Sequence, residues 1–131
     1  MPVIDTILVA YDDPTSGTLA RAADLAEAVG SRLVVTNVAA PVEPSAAEEA
    51  GRISSERLDE ARTYLEQRGV GAELVPRVGS PAEAIVELAR ERKVGLIVVG
   101  TRKKGFLERL VEGSVAENVL RHATCDVLVV Y

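Results

Sequence analysis

Short unbroken apolar runs alternate along this chain with longer stretches in which apolar positions recur every three or four residues. Thr6-Ile-Leu-Val-Ala10 is the first such run. It is β-branched and uncharged, and predicts a buried strand, β1. Asp12-Asp13-Pro14 ends it, with Asp13 expected as an N-cap and Pro14 at the first helical position. Leu19, Ala22, Ala23, Ala26 and Val29 follow at helical spacing, with Arg21, Asp24 and Glu27 between them. This predicts an amphipathic helix, α1, stopped at Gly30. Leu33 to Val38 predicts β2, and 39–44 a loop that contains two prolines.

Ser45-x-x-Glu48 has capping-box spacing and opens a long polar helix to about Gln67, α2, with Ile53, Leu58, Ala61 and Leu65 expected to face inward. Gly51 and the Ser54-Ser55 pair weaken its first half. Ala72 to Val78 predicts β3, and Pro76, which cannot donate to a ladder, assigns it to a sheet edge or ends it there. Ser80-Pro-Ala-Glu83 is a second capping box and opens α3, which buries Ile85, Leu88 and Ala89. Val94 to Val99 predicts β4. Ser114-x-x-Glu117 caps α4, expected to bury Val115, Val119 and Leu120, with Arg121 and His122 in a last turn where the helix dipole favours cations. Asp126 to Tyr131 predicts β5. Strands that are apolar throughout, alternating with amphipathic helices, imply an α/β fold: one three-layer α/β/α domain over 1–131, its five-stranded parallel sheet covered on both faces by right-handed crossovers. The strand order does not follow from this pattern.

Composition narrows the function. Apolar residues make up 47% of the 131, enough for a sizeable core, and aromatics only 3%, so that core is aliphatic. The net charge of −5 argues against nonspecific binding to nucleic acid or to an anionic membrane. No apolar run approaches the roughly 20 residues that cross a bilayer. The N-terminus has no signal-peptide pattern, and the single cysteine, Cys125, has no internal disulfide partner; a cytoplasmic protein is expected.

Against this acidic background, the segment between β4 and α4 is basic. Gly100 to Gly113 carries Arg102, Lys103 and Lys104, two of the chain's three lysines, and leads into the α4 N-terminus at Gly113-Ser114-Val115. Backbone N–H groups and the helix dipole attract anions there. The segment reads as a phosphate site or, alternatively, as a helix cap beside a solvated loop. If β1 and β4 are neighbours where the winding of the sheet reverses, Ala10-Tyr-Asp-Asp13 converges on it. Asp12 and Asp13 read either as acids at a ligand or Mg²⁺ site or as a turn and cap; Asp12 is the better ligand and Asp13 the better cap. His122 reads as a helix-end residue and Cys125 as a small residue at the start of a strand. No metal spacing or Ser-His-Asp arrangement can be built here, and the G-x-G-x-x-G and G-x-x-x-x-G-K-[ST] fingerprints are absent. A phospho-acceptor receiver would need an aspartate at the end of β3, where the chain reads Arg77-Val-Gly-Ser80, and a lysine beyond β5.

Gly100-x-x-Lys103, nine residues, then Gly113-Ser114 resembles the G-x2-G-x9-G-[ST] nucleotide signature of the universal stress protein family. The likeness extends to Ile7-Leu-Val-Ala-Tyr-Asp12, to Arg77-Val-Gly-Ser-Pro-Ala-Glu-Ala-Ile85, and to Leu96–Arg102, Gly113–Leu120 and Val127–Val130. The resemblance implies a Rossmann-like fold of the adenine nucleotide alpha-hydrolase-like type with strand order 3-2-1-4-5. It implies a homodimer, often paired through the last strand (126–131 here), and a stress-response module that binds ATP or AMP between β1 and β4 with slow or no hydrolysis. Ala10 and Asp12 would then lie at the nucleotide, Asp12 near the ribose or a Mg²⁺ ion. Val38 and Val99 would wall the adenine, and Gly100, Arg102, Lys103, Gly113, Ser114, Val115 and Ala116 would hold the phosphates. Lys103 stands where the signature has its middle glycine. If that position needs a positive φ, lysine costs about 1 kcal/mol or more; if it does not, Lys103 adds a phosphate partner. Family members without the signature give the alternative, a protein–protein signalling dimer that binds no nucleotide.

Overall fold

The computed structural model of the protein describes residues 4–12, 16–101 and 115–131. Five parallel strands, β1 (Thr6–Ala10), β2 (Arg32–Ala39), β3 (Glu73–Val78), β4 (Leu96–Gly100) and β5 (Asp126–Val130), form one sheet in the order β3-β2-β1-β4-β5. Successive side chains on a strand point to opposite faces, so an unbroken apolar run supplies two cores at once. Ile7, Val9, Leu33, Val35 and Val98 pack against α1 (Thr18–Val29) and α2 (Ala47–Arg68) on one face. Leu8, Val34, Val75, Ile97 and Val99 pack against α3 (Pro81–Glu91) and α4 (Val115–His122) on the other. The three-layer arrangement and the order 3-2-1-4-5 are those expected, and Pro76 does lie on an edge strand.

Several local expectations are corrected. The first helix starts at Thr18, after Gly17, and the Thr18 N–H donates to Ser16 Oγ at 3.2 Å; Asp13 and Pro14, expected to open it, lie outside the described residues. The hydroxyl of Ser45 donates to the Glu43 carboxylate (2.8 Å) instead of capping α2, which grows out of a 3₁₀ turn at Pro44–Ala46. Ser80 does hold the N-cap position of α3, in extended conformation ahead of Pro81, but makes no side-chain cap bond. Strand β4 begins at Leu96, because the Val94 N–H closes the end of α3 on the Ala89 carbonyl (2.9 Å) and Lys93 takes a positive φ of 53°.

Two helix faces also differ. In α4 the buried positions are Ala116 and Val119, with Ala123 packing behind them, while Val115 and Leu120 are 39% and 54% exposed. Small Ala116 lets the helix sit on the sheet along the 116–119–123 stripe, and this turns both larger side chains outward. In α2, Ile53 is 42% exposed and Ser54 is fully buried. The reason is a hydrogen bond: Ser54 Oγ donates to the Asn37 carbonyl at 2.6 Å, beside a β3 position where Pro76 has no N–H to offer. The pair that weakens the helix by propensity therefore fastens it to β2.

Ser54→Ala leaves the half-buried Asn37 carbonyl without that donor, so urea denaturation should show a loss of about 1–2 kcal/mol. Ser55→Ala, on the exposed face, should stay within about 0.5 kcal/mol of the unmutated protein.

Candidate functional site

The site follows from the way the sheet is wound. The chain leaves β1 for α1 on one face, and the helix after β4, α4, lies on the opposite face. Adjacent strands whose following helices lie on opposite faces leave a crevice beyond their carboxyl ends. The residues at its floor are held in place by the ladder: the Tyr11 N–H donates to the Thr36 carbonyl (2.8 Å) and the Thr101 N–H to the Val130 carbonyl (2.9 Å).

Ala10, Val38, Val99 and Ala116 come together on the α3/α4 face. Val99 and Ala116 are buried in that core, and Ala10 and Val38 are half-buried against it. Asp12 is exposed, just past the end of β1, and Val115 opens α4 with an exposed side chain. The expected phosphate-holding residues Arg102, Lys103, Gly113 and Ser114 lie outside the described residues.

Gly100 faces the other way, toward α1. A Cβ there would stand 2.5 Å from Thr18 Oγ1 and 3.6 Å from Ser16 Oγ, and these two hydroxyls are themselves 2.6 Å apart. Glycine therefore lets the start of α1 close against the end of β4. Sequence reasoning missed Ser16 and Thr18; hydroxyl residues just ahead of an apolar helical stripe are a cap signal that Asp13 masked. It also missed Asn37, whose Nδ2 donates to the Tyr11 carbonyl at 2.7 Å. A polar residue inside the apolar run of β2 was the available sign.

The remaining candidate groups lie away from the crevice. His122 is exposed in the last turn of α4, with Nδ1 donating to the Asn118 carbonyl at 2.9 Å. Cys125 is half-buried ahead of β5, and burial, helped by the Asp126 charge, pushes its thiol above the usual range. At the opposite end of the sheet, Arg92 forks onto Glu73 (2.8–3.2 Å) and holds that carboxyl below its ordinary value, beside a cavity of about 280 Å³ that Thr6 and Arg32 also line. No cluster of three or more His, Cys, Asp or Glu side chains suited to a metal occurs among the described residues, and none of their helices is long and apolar enough to cross a membrane.

A doubly wound parallel sheet whose helices change face between β1 and β4 defines a Rossmann-like α/β protein. Residues 4–131 match the family model described as the universal stress protein family, and the chain belongs to that family. A universal stress protein of Thermus aquaticus is 35% identical over 133 aligned positions, covering 95% of this chain and 97% of the relative. One from Methanocaldococcus jannaschii is 45% identical over 75 residues, 57% of this chain and 44% of the relative. A third, from Bacillus subtilis, is 40% identical over 73 residues, 56% of this chain and 49% of the relative. The matched stretch thus spans about half the length of the last two. Among solved structures, a universal stress protein in complex with cAMP superposes with a TM-score of 0.80 at 30% identity, covering 98% of this chain and 97% of that one. The Archaeoglobus fulgidus protein in complex with dAMP gives 0.76 at 26% identity, covering 97% and 98%.

Two measurements check this geometry. Gly100→Ala should lower stability by about 1–3 kcal/mol by overpacking against Thr18; in a Thr18→Ala background, where the clashing oxygen is gone, thermal denaturation should show a smaller loss from the same change. Cys125 should react with a thiol reagent at pH 8 more slowly than free cysteine does, because its burial disfavours the thiolate.

Proposed function

We propose that this chain is a stress-response module that binds an adenosine phosphate, ATP or AMP, in the crevice between β1 and β4. The observation that carries this reading is the change of helix face between β1 and β4, in a chain that aligns almost end to end with relatives whose structures hold cAMP and dAMP. The spacing from Gly100 to Gly113-Ser114 adds to it. In this reading Ala10, Val38 and Val99 flank the adenine, and Asp12 meets the ribose or a Mg²⁺ ion. Gly100, Arg102, Lys103, Gly113, Ser114, Val115 and Ala116 surround the phosphates, with α4 supplying backbone donors and its dipole.

Hydrolysis would be slow or absent. The one histidine stands at the far end of α4, and Asp12 suits a metal better than an attacking water. The protein would act in the cytoplasm as a homodimer joined through 126–131. That segment holds edge strand β5, whose Val127, Leu128 and Val129 are half-buried, and an apolar open edge calls for cover. Lys103, in place of the signature's middle glycine, favours a second reading: the same dimer as a signalling surface without nucleotide.

Calorimetric titration of nucleotide-stripped protein with ATP and Mg²⁺ decides between the two. Micromolar binding is expected, lost in a Gly113→Asp variant that circular dichroism shows to be folded; no heat from the unmutated protein would leave the second reading. Light scattering coupled to size exclusion should return the mass of two chains, and a monomer at every concentration would remove β5 pairing.

A further inference from the structure

Tyr11 is fastened through both its backbone and its side chain. Its N–H donates to the Thr36 carbonyl (2.8 Å), its carbonyl accepts from Asn37 Nδ2 (2.7 Å), and its phenol donates to Glu60 Oε1 of α2 (3.1 Å). The residue is 4% exposed. The next residue is Asp12, exposed at the crevice. Because a peptide unit is planar, the direction of the Tyr11 carbonyl sets the plane that also contains the Asp12 nitrogen and Cα. Whatever aims that carbonyl aims the start of Asp12.

Asn37 is an unusual residue for this work. Asparagine is disfavoured in strands, and β2 is otherwise β-branched and aliphatic around it. A carbonyl oxygen can only accept, so the amide must present its NH₂ to Tyr11. The Asn37 backbone is held in turn: it pairs in register with Pro76, and its carbonyl takes the Ser54 hydroxyl at 2.6 Å. A chain of hydrogen bonds thus runs from buried Ser54 through Asn37 to the peptide before Asp12.

We propose that Asn37 is a positioning residue of the nucleotide crevice, and that its amide fixes the direction in which Asp12 leaves β1 toward the ribose or metal. This rests on the nucleotide-binding reading above. Asn37 acts through Asp12 and needs no contact of its own with the ligand.

The test is a double-mutant cycle read by ATP titration with Mg²⁺. Asn37→Asp keeps the shape of the side chain and removes the donor; Asn37→Ser is the second variant should the carboxylate prevent folding, and circular dichroism checks both. In the unmutated background the loss of one aligned hydrogen bond should weaken ATP binding about 5- to 10-fold. In an Asp12→Ala background the same change should cost less than about 2-fold, since there is no longer a carboxylate to aim. An equal loss in both backgrounds would make Asn37 a general structural residue and overturn the proposal. Unchanged affinity in a folded Asn37 variant would overturn it too, while leaving the nucleotide reading intact. If the unmutated protein binds no ATP, both fall together.

Discussion

The structure depends on a parallel sheet that must be covered on both faces. Each strand sends alternate side chains into two separate aliphatic cores, so every crossover helix has to be assigned to one face or the other. Alpha1 and α2 take one, α3 and α4 take the other. The change of side falls between β1 and β4, and the crevice there is a geometric consequence of covering both faces. It exists before any residue is chosen to line it. What the sequence adds is close packing just beneath it. The absent side chain of Gly100 lets α1 approach β4 from one side, and small Ala116 lets α4 settle from the other.

Periodicity made the fold legible because the strands are short, unbroken and aliphatic, with a glycine or proline at most of the boundaries. Pro76 pointed to an edge position or an early end for β3, and the edge is what the sheet shows. The strand order came from resemblance alone, since no local pattern encodes which strands lie side by side. The errors share a cause. Ser45 reads as a cap from its spacing, but a capping motif states a local preference, and the Glu43 carboxylate captures its hydroxyl. Val115 and Leu120 were read as core because they are large and apolar. Small Ala116 and Ala123 let the backbone come close enough to bury Val119, and that rotated the larger side chains away. In α2 the same bias favoured Ile53 over Ser54, since hydrophobicity scales do not register a hydroxyl that finds a buried acceptor.

The crevice residues were readable in proportion to how local their chemistry is. Asp12 and Gly100 stand out as an acid and a glycine at strand ends. The groups that organise them do not, because Asn37 and Ser54 act across sequence separations that only the fold closes. Asn37 lies 26 residues from Tyr11, and Ser54 lies 17 from Asn37. Charge follows a similar division. A chain of net charge −5 would repel a polyphosphate at long range. Attraction has to be local, as it is when basic residues and the N–H groups of a helix N-terminus converge within about one Debye length, roughly 8–10 Å.

The placement of the polar side chains in the sheet and on the α2 face that covers it is informative. Thr36, Ser54 and Asn37 all direct hydrogen bonds to backbone carbonyls: Thr36 to Val75 at 2.6 Å, Ser54 to Asn37, and Asn37 to Tyr11. Each buried polar side chain costs desolvation unless it is paired, and no buried side-chain polar atom among the described residues lacks a partner. The three bonds form a band from α2 and β3 across β2 to the end of β1, where Thr36 stands in register with Ala10. Aliphatic packing fixes how far apart two strands lie, but it constrains poorly the rotation of a single peptide plane at a strand end. Directional bonds do constrain it. They fix the peptide from which the chain turns toward Asp12; at the opposite end the Ser31 hydroxyl donates to the Ile4 carbonyl and Arg32 to the buried Thr6 hydroxyl (3.1 Å), beside exposed ion pairs such as Arg92–Glu73.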